Sequence, residues 1–292
     1  MEFFSVNQET ESKTNDLWVY FLIAYAVSWL MWLPAILSNY GIIDPLWHFK
    51  FTIGVTSISL WGTLGSFGPM VAAFSLTYLK EGIDGVKKLF KRGGEYKFRK
   101  IWWIAVFSLP AAQGLILLLA IILGAQTPVI WWLSQPWFFS FQFILISFVF
   151  WGPLGEEFGW RGYALDRLQS RWNASVSSVI LGVIHACWHI PLWFADSSRG
   201  GLFEFLIFMA MLIPLTLFFT WLYNNTNGSI LVAMIFHLLS NLAIFPTNVG
   251  LAGLFYIIYA ITATVAILAI FGYRTLVRGK RDLNEENSIS TS

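Results

Sequence analysis

Residues 143–155 read FILISFVFWGPLG, an uncharged apolar run, and the next two residues are Glu156 and Glu157. An apolar stretch closing on adjacent carboxylates reads as the end of a membrane span that carries ionisable groups. The rest of the chain agrees. Of 292 residues, 57% are hydrophobic and 12% charged, against about 25% charged in an ordinary soluble domain. So few charges cannot cover a water-facing surface. Aromatic residues make up 18%, with 16 Trp and 27 Phe, which excludes a disordered or collagen-like chain. A net charge of +2 with no large basic domain excludes a nucleic-acid binder. A single Cys excludes a disulfide framework and a Cys-type zinc finger. The class is an all-α polytopic membrane helix bundle whose main partner is the lipid bilayer.

Working outward from that run, eight stretches are apolar enough to span: 17–38, 51–79, 101–123, 136–152, 176–194, 202–223, 230–246 and 251–273. The first has no basic n-region and no small-residue cleavage site, so it reads as a span and not as a signal peptide. Trp131, Trp132 and Trp137 cluster at one span end, as interfacial aromatics do. Pro34, Gly62, Pro69 and Pro110 fall inside spans, where neighbouring helices can satisfy the backbone groups they free. With the N-terminus inside, the cytoplasmic segments hold 16 of the 18 Lys and Arg, and the outer loops keep only Lys50 and Arg199. That asymmetry places both termini in the cytoplasm. The strongest basic block, residues 80–100, reads as a loop facing phospholipid headgroups. Residues 1–16 form a polar N-terminal tail and 274–292 a polar C-terminal tail, both expected to be irregular, around one transmembrane domain at 17–273.

Ionisable residues at depth cost about 2.5–3.5 kcal/mol each on insertion scales, so they need a cavity or a partner. Of the four His, His185, His189 and His237 fall within spans, and His48 lies in a loop. In GEEFGWRGYALDRL, residues 155–168, Glu157 and Arg161 are one turn apart on one helical face. Glu156 points about 100° away, toward a different neighbour. Two adjacent carboxylates in different surroundings suit an acid/base role. The same segment also reads as a helix end meeting headgroups and water. In ILGVIHACWHIPLWF, residues 180–194, His185 and His189 are one turn apart, a spacing that can chelate a divalent metal or clamp a water. His237 and Asn241 repeat that spacing and can bind an oxyanion or act as interhelical polar glue. Helical rise puts His185 and His189 roughly 14 and 20 Å from the inner start of their span, and His237 roughly 10 Å into its own. They can share one cavity only if it reaches from the cytoplasmic face toward mid-bilayer. Glu and His without a thiol cluster or a Ser-His-Asp order read as water activation, with or without a metal. Water attacking an amide, with His and Asn as oxyanion donors, is peptide hydrolysis.

At these residues the chain resembles the CPBP family of intramembrane proteases, which includes type II CAAX prenyl endopeptidases and bacteriocin-processing or immunity proteins. The family's EExxxR motif is matched by Glu156, Glu157 and Arg161. Its FxxxH motif, running on as WHxPL, is matched by WHIPL, so His189 is the motif histidine and His185 stands at the aromatic position. Its third motif is matched by His237 and Asn241. The resemblance implies a protease core at about 136–247 and a conical cavity open to the cytoplasm. It implies that Glu156 activates water with His189, that His237 and Asn241 stabilise the oxyanion, and that Glu157 and Arg161 support the site, with His185 as a helper. The expected activity is a metalloendopeptidase-type hydrolase acting on a peptide or membrane-anchored protein in a cell membrane, a bacterial plasma membrane by composition. Glu156, His185, His189 and His237 permit a zinc or similar divalent metal without demanding one. A non-catalytic immunity or scaffold protein of the same fold, binding through the same cavity, is the alternative. A proton-relay transporter would show repeat symmetry between halves, and the sequence has none.

Overall fold

Gly, Pro and small polar residues decide where these helices begin, break and touch. The computed structural model describes residues 2–44, 50–53, 56–124, 134, 136–195, 200–243 and 251–278. His48, Trp131, Trp132, Arg199 and the tail from 279 onward lie outside the described residues. In chain order the elements are α1 (Glu2–Asn39), a hairpin of β1 (Lys50–Ile53) and β2 (Thr56–Ser59), α2 (Leu60–Ser66), α3 (Gly68–Arg92), α4 (Ile101–Ile122) and α5 (Trp137–Phe150). There follow α6 (Pro153–Gly159), a π-helical turn (Trp160–Leu165), α7 (Asp166–Gln169), α8 (Ala174–Trp188), α9 (Ile190–Ala195), α10 (Leu202–Asn225), α11 (Ile230–Ala243) and α12 (Leu251–Phe271).

Among the described residues, four stretches are long and apolar enough to cross a membrane: Asp16–Asn39, Trp137–Gln169, Ala174–Ala195 and Leu202–Asn225. Ile101–Ile116, Ile230–Leu242 and Ile258–Phe271 are shorter apolar helices. The reading of 51–79 as one span is corrected. Lys50–Ile53 and Thr56–Ser59 pair as antiparallel strands, with Phe51 opposite Ile58. β-Branched residues such as Thr52, Ile53, Thr56 and Ile58 favour that pleated surface over a helix. Ser59 then caps α2 by accepting from the Gly62 N–H. The polar residues after Met1 are corrected too. They extend α1 from Glu2 instead of forming an irregular tail.

Lipid is as apolar as leucine, so close contact and polar pairing hold such a bundle together. Small residues supply the contact. A methyl group added at Gly68 would collide with the Ser28 hydroxyl and come 2.6 Å from the Ala24 carbonyl, so α1 and α3 approach backbone to side chain there. A methyl at Gly182 would lie 3.0 Å from the Ile213 Cα, where α8 crosses α10. Ser178 and Thr220 are hydrogen-bonded across that crossing at 2.8 Å, both fully buried. One apolar cluster joins α1, α3, the π turn and α8 around Tyr20, Trp32, Trp160 and Trp188. A second joins α4, α10, α11 and α12 around Phe218, Phe219, Trp221 and Phe236. His185 packs on Trp160 of the first cluster, and His237 on Phe219 of the second.

Candidate active site

Gly152 and Pro153 set the site's entry. Pro153 has no N–H to continue α5 and instead opens α6, while Gly152 turns the chain at φ 108°. Only glycine adopts that conformation cheaply. The turn brings Glu156 and Glu157 into the bundle on α6, both buried, at 5% and 0% exposure.

The two carboxylates then part. Glu157 accepts two hydrogen bonds from Nη1 of Arg161, at 2.9 and 3.0 Å, and both side chains are fully buried. The Arg161 guanidinium lies 3.8 Å over the centre of the Phe219 ring, a cation–π contact that helps hold it away from water. Glu157 also meets Nδ1 of His237 at 2.7 Å. Glu156 turns the other way, and its Oε2 lies 2.8 Å from Nε2 of His185. The divergence expected from helical geometry is therefore present. Each adjacent Glu holds an imidazole, and among the described residues Glu157 alone also holds a cation.

His185 is 3% exposed, and its Nδ1 is buried without a protein partner among the described residues. Trp160 and His189 flank its ring, each with centroids 5.0 Å away. His189 caps α8 at the break before Pro191, and its Nδ1 lies 2.9 Å from the His185 carbonyl. A ring N–H held on a backbone carbonyl is how a metal-binding imidazole fixes its tautomer. Donor atoms of Glu156, His185 and His189 all lie within 4.8 Å of one another. A carboxylate and two imidazoles match the three protein ligands of a catalytic zinc site. The orphaned Nδ1 and the carbonyl-held His189 make this set a fit for a divalent metal. His237 stands outside that group, on Glu157. Asn241 donates from its amide nitrogen to the Trp151 carbonyl at 2.9 Å, tying α11 to the α5–α6 break and leaving one amide N–H for another acceptor.

Residues 136–243 match the family profile described as type II CAAX prenyl endopeptidase Rce1-like. A protein named CAAX prenyl protease 2, from Methanococcus maripaludis, is 29% identical over 234 residues, which cover 77% of this chain and 82% of that one. In both comparisons the chain is similar to CPBP/CAAX-type proteases. It is accordingly a multi-pass membrane protein.

All six motif residues fall within the matched region, but several groups that shape the site carry no motif signal. Phe219, whose ring lies under the Arg161 guanidinium, stands in an apolar run with nothing to mark it. Two braces come from α1, outside the matched region. Tyr25 donates to the Ile184 carbonyl, and Trp29 donates to the Trp188 carbonyl at 3.0 Å. Leu192 N–H bonds back to His189, so the Trp188 carbonyl loses its usual helical partner and Trp29 replaces it. Gly152 could have been found, because Gly before Pro at the end of an apolar run marks a break. A methyl there would collide with Oε1 of Glu156 and approach Cε1 of His237 to 3.0 Å. Gly152→Ala is expected to cost about 1–3 kcal/mol in backbone strain. It is also expected to lower turnover more than about tenfold by displacing the carboxylate. Thermal unfolding in detergent and a peptide-cleavage assay check both, and unaltered turnover would show that this wall does not fix Glu156.

Proposed function

We propose that this protein hydrolyses a peptide bond in a membrane-associated protein or peptide, using a water primed by Glu156 and His185 at a site reached from the cytoplasmic face. Both termini lie in the cytoplasm in this reading. The observation that carries it is the pair of carboxylate–imidazole contacts on adjacent residues, Glu156 with His185 and Glu157 with His237.

Glu156 takes a proton from the water as its oxygen attacks the peptide carbonyl carbon. His185, held on Glu156, keeps the carboxylate aimed, and the carboxylate becomes a neutral acid as the proton arrives. The carbonyl oxygen becomes an oxyanion, for which His237 and the second amide N–H of Asn241 are the donors. Glu157 fixes the His237 ring, and Arg161 neutralises Glu157 so that the second carboxylate does not compete for the proton. Glu156 then passes its proton to the leaving nitrogen, and the C–N bond breaks. Glu156, His185 and His189 would hold a zinc or similar ion, which when bound supplies Lewis-acid polarisation of the water. The division of labour differs from the motif-based expectation. His185 is the direct partner of Glu156, and His189 completes the cluster from the end of α8.

The relative's name makes a membrane-anchored chain with a C-terminal CAAX-type sequence the first substrate to assay. Wild-type protein in nanodiscs is expected to cut such a chain at one defined bond, identified by mass spectrometry. His185→Gln is expected to lower kcat by about 10²–10³-fold with little change in KM. A folded wild-type protein that leaves every tethered peptide intact would overturn the proposal in favour of a binding role for the same site.

A further inference from the structure

The π turn that carries Arg161 raises a backbone question. Its hydrogen bonds run from i to i+5, so carbonyls near it lose the partners that α-helical spacing provides. Two arginines from outside the turn donate to carbonyls within it. Arg167 Nη1 donates to Tyr163 O at 3.1 Å, and Arg92 Nη1 donates to Gly162 O at 3.1 Å. Arg92 comes from the last turn of α3, 70 residues earlier in the chain and outside the region matched by the family profile.

The other nitrogens of Arg92 are also committed. Nη2 lies 3.0 Å from Oδ2 of Asp166 and contacts the Tyr223 hydroxyl, and Nε donates to Gly228 O at 3.4 Å. Tyr223 donates to the other Asp166 oxygen at 2.8 Å. One guanidinium thus joins the end of α3, the π turn, α7, α10 and the turn before α11. Its side chain and that of Asp166 are 31% and 44% exposed, so the ionic attraction alone is worth little. The planar fork, which reaches three directions at once, carries the effect. Gly162 sits close against α11, since a methyl there would come 2.7 Å from Cδ1 of Ile230. Its neighbour Arg161 holds Glu157, and Glu157 holds His237.

We propose that Arg92 is a positioning residue: by holding the Gly162 carbonyl it fixes the register of the π turn, and so the placement of Arg161 and Glu157 behind the reacting groups. Its catalytic consequence rests on the peptidase reading above. Arg92→Lys keeps the charge but lacks the fork. In nanodiscs it is expected to lower kcat by about 10- to 100-fold with KM within about twofold, because a small misplacement remote from the chemistry acts on turnover. Lys87→Gln, on the exposed face of the same helix, is expected to change neither. A second arm needs no activity. Tm losses of Arg92→Lys and Glu157→Gln in detergent are expected to be sub-additive in the double variant, because both act on one linked arrangement. Wild-type kcat in Arg92→Lys, or Tm losses that add in full, would overturn the positioning role. Should wild-type protein cut no peptide, the peptidase reading falls, and the stability cycle alone decides the role of Arg92.

Discussion

Cleavage by the Glu156→Gln protein is expected to fall about 10³–10⁴-fold with little change in stability. Gln matches Glu in size, and its amide oxygen can still accept from Nε2 of His185, so the 2.8 Å contact has a substitute. It cannot take a proton from water. Glu156 is only 5% exposed, so bulk solvent offers no replacement base beside His185. Glu157 cannot step in, because its oxygens are committed to Arg161 and His237. Turnover is measured on a tethered peptide in nanodiscs, with Tm recorded for the same preparation. Turnover within tenfold of wild type would remove Glu156 from the proton path and shift the base to another group.

The second large effect is on stability. Arg161→Met is expected to destabilise the fold by about 3–5 kcal/mol, because it leaves the Glu157 carboxylate buried without its cation. Both side chains are at 0% exposure, so water cannot take over. Met fills a similar volume over the Phe219 ring and makes favourable sulfur–aromatic contact, so lost packing is a minor part. The double variant Arg161→Met with Glu157→Met is expected to recover a substantial share, since removing both charges removes the unpaired one. Denaturant unfolding in detergent measures both. A double variant no more stable than Arg161→Met alone would show that packing around Phe219, and not the ion pair, sets the cost.

What could be read from the sequence follows the physics of each feature. The apolar runs announce themselves, because spanning lipid needs about 20 uncharged residues whatever their partners. The one-turn pairs were equally plain, since helical periodicity alone puts Glu157 beside Arg161 and sends Glu156 elsewhere. Both geometries are present in the structure. The 51–79 stretch misled because hydropathy does not separate a strand from a helix. Ser59, whose side chain caps α2, is the better signal there. His237 was grouped with the other metal-ligand candidates because the sequence has no term for tertiary direction, and its ring turns to Glu157. The π turn was hidden for the same reason. One extra residue per turn leaves no mark in composition, and its carbonyls are met by Arg92 from a helix far upstream. Tyr25 and Trp29 likewise stand unmarked in an apolar run, although each ends on a carbonyl of α8.

Those two donors from α1 bear on biogenesis. The first helix is made and inserted well before the segment whose carbonyls it will hold, so its indole and phenol must wait in the membrane for a late-arriving partner. A nascent chain stopped before residue 184 therefore has nothing for Tyr25 to grip, and one stopped before 188 nothing for Trp29. Both grips close once α8 is complete, before α11 delivers His237 and Asn241, so α1 is tied to the site's wall ahead of its last side chains.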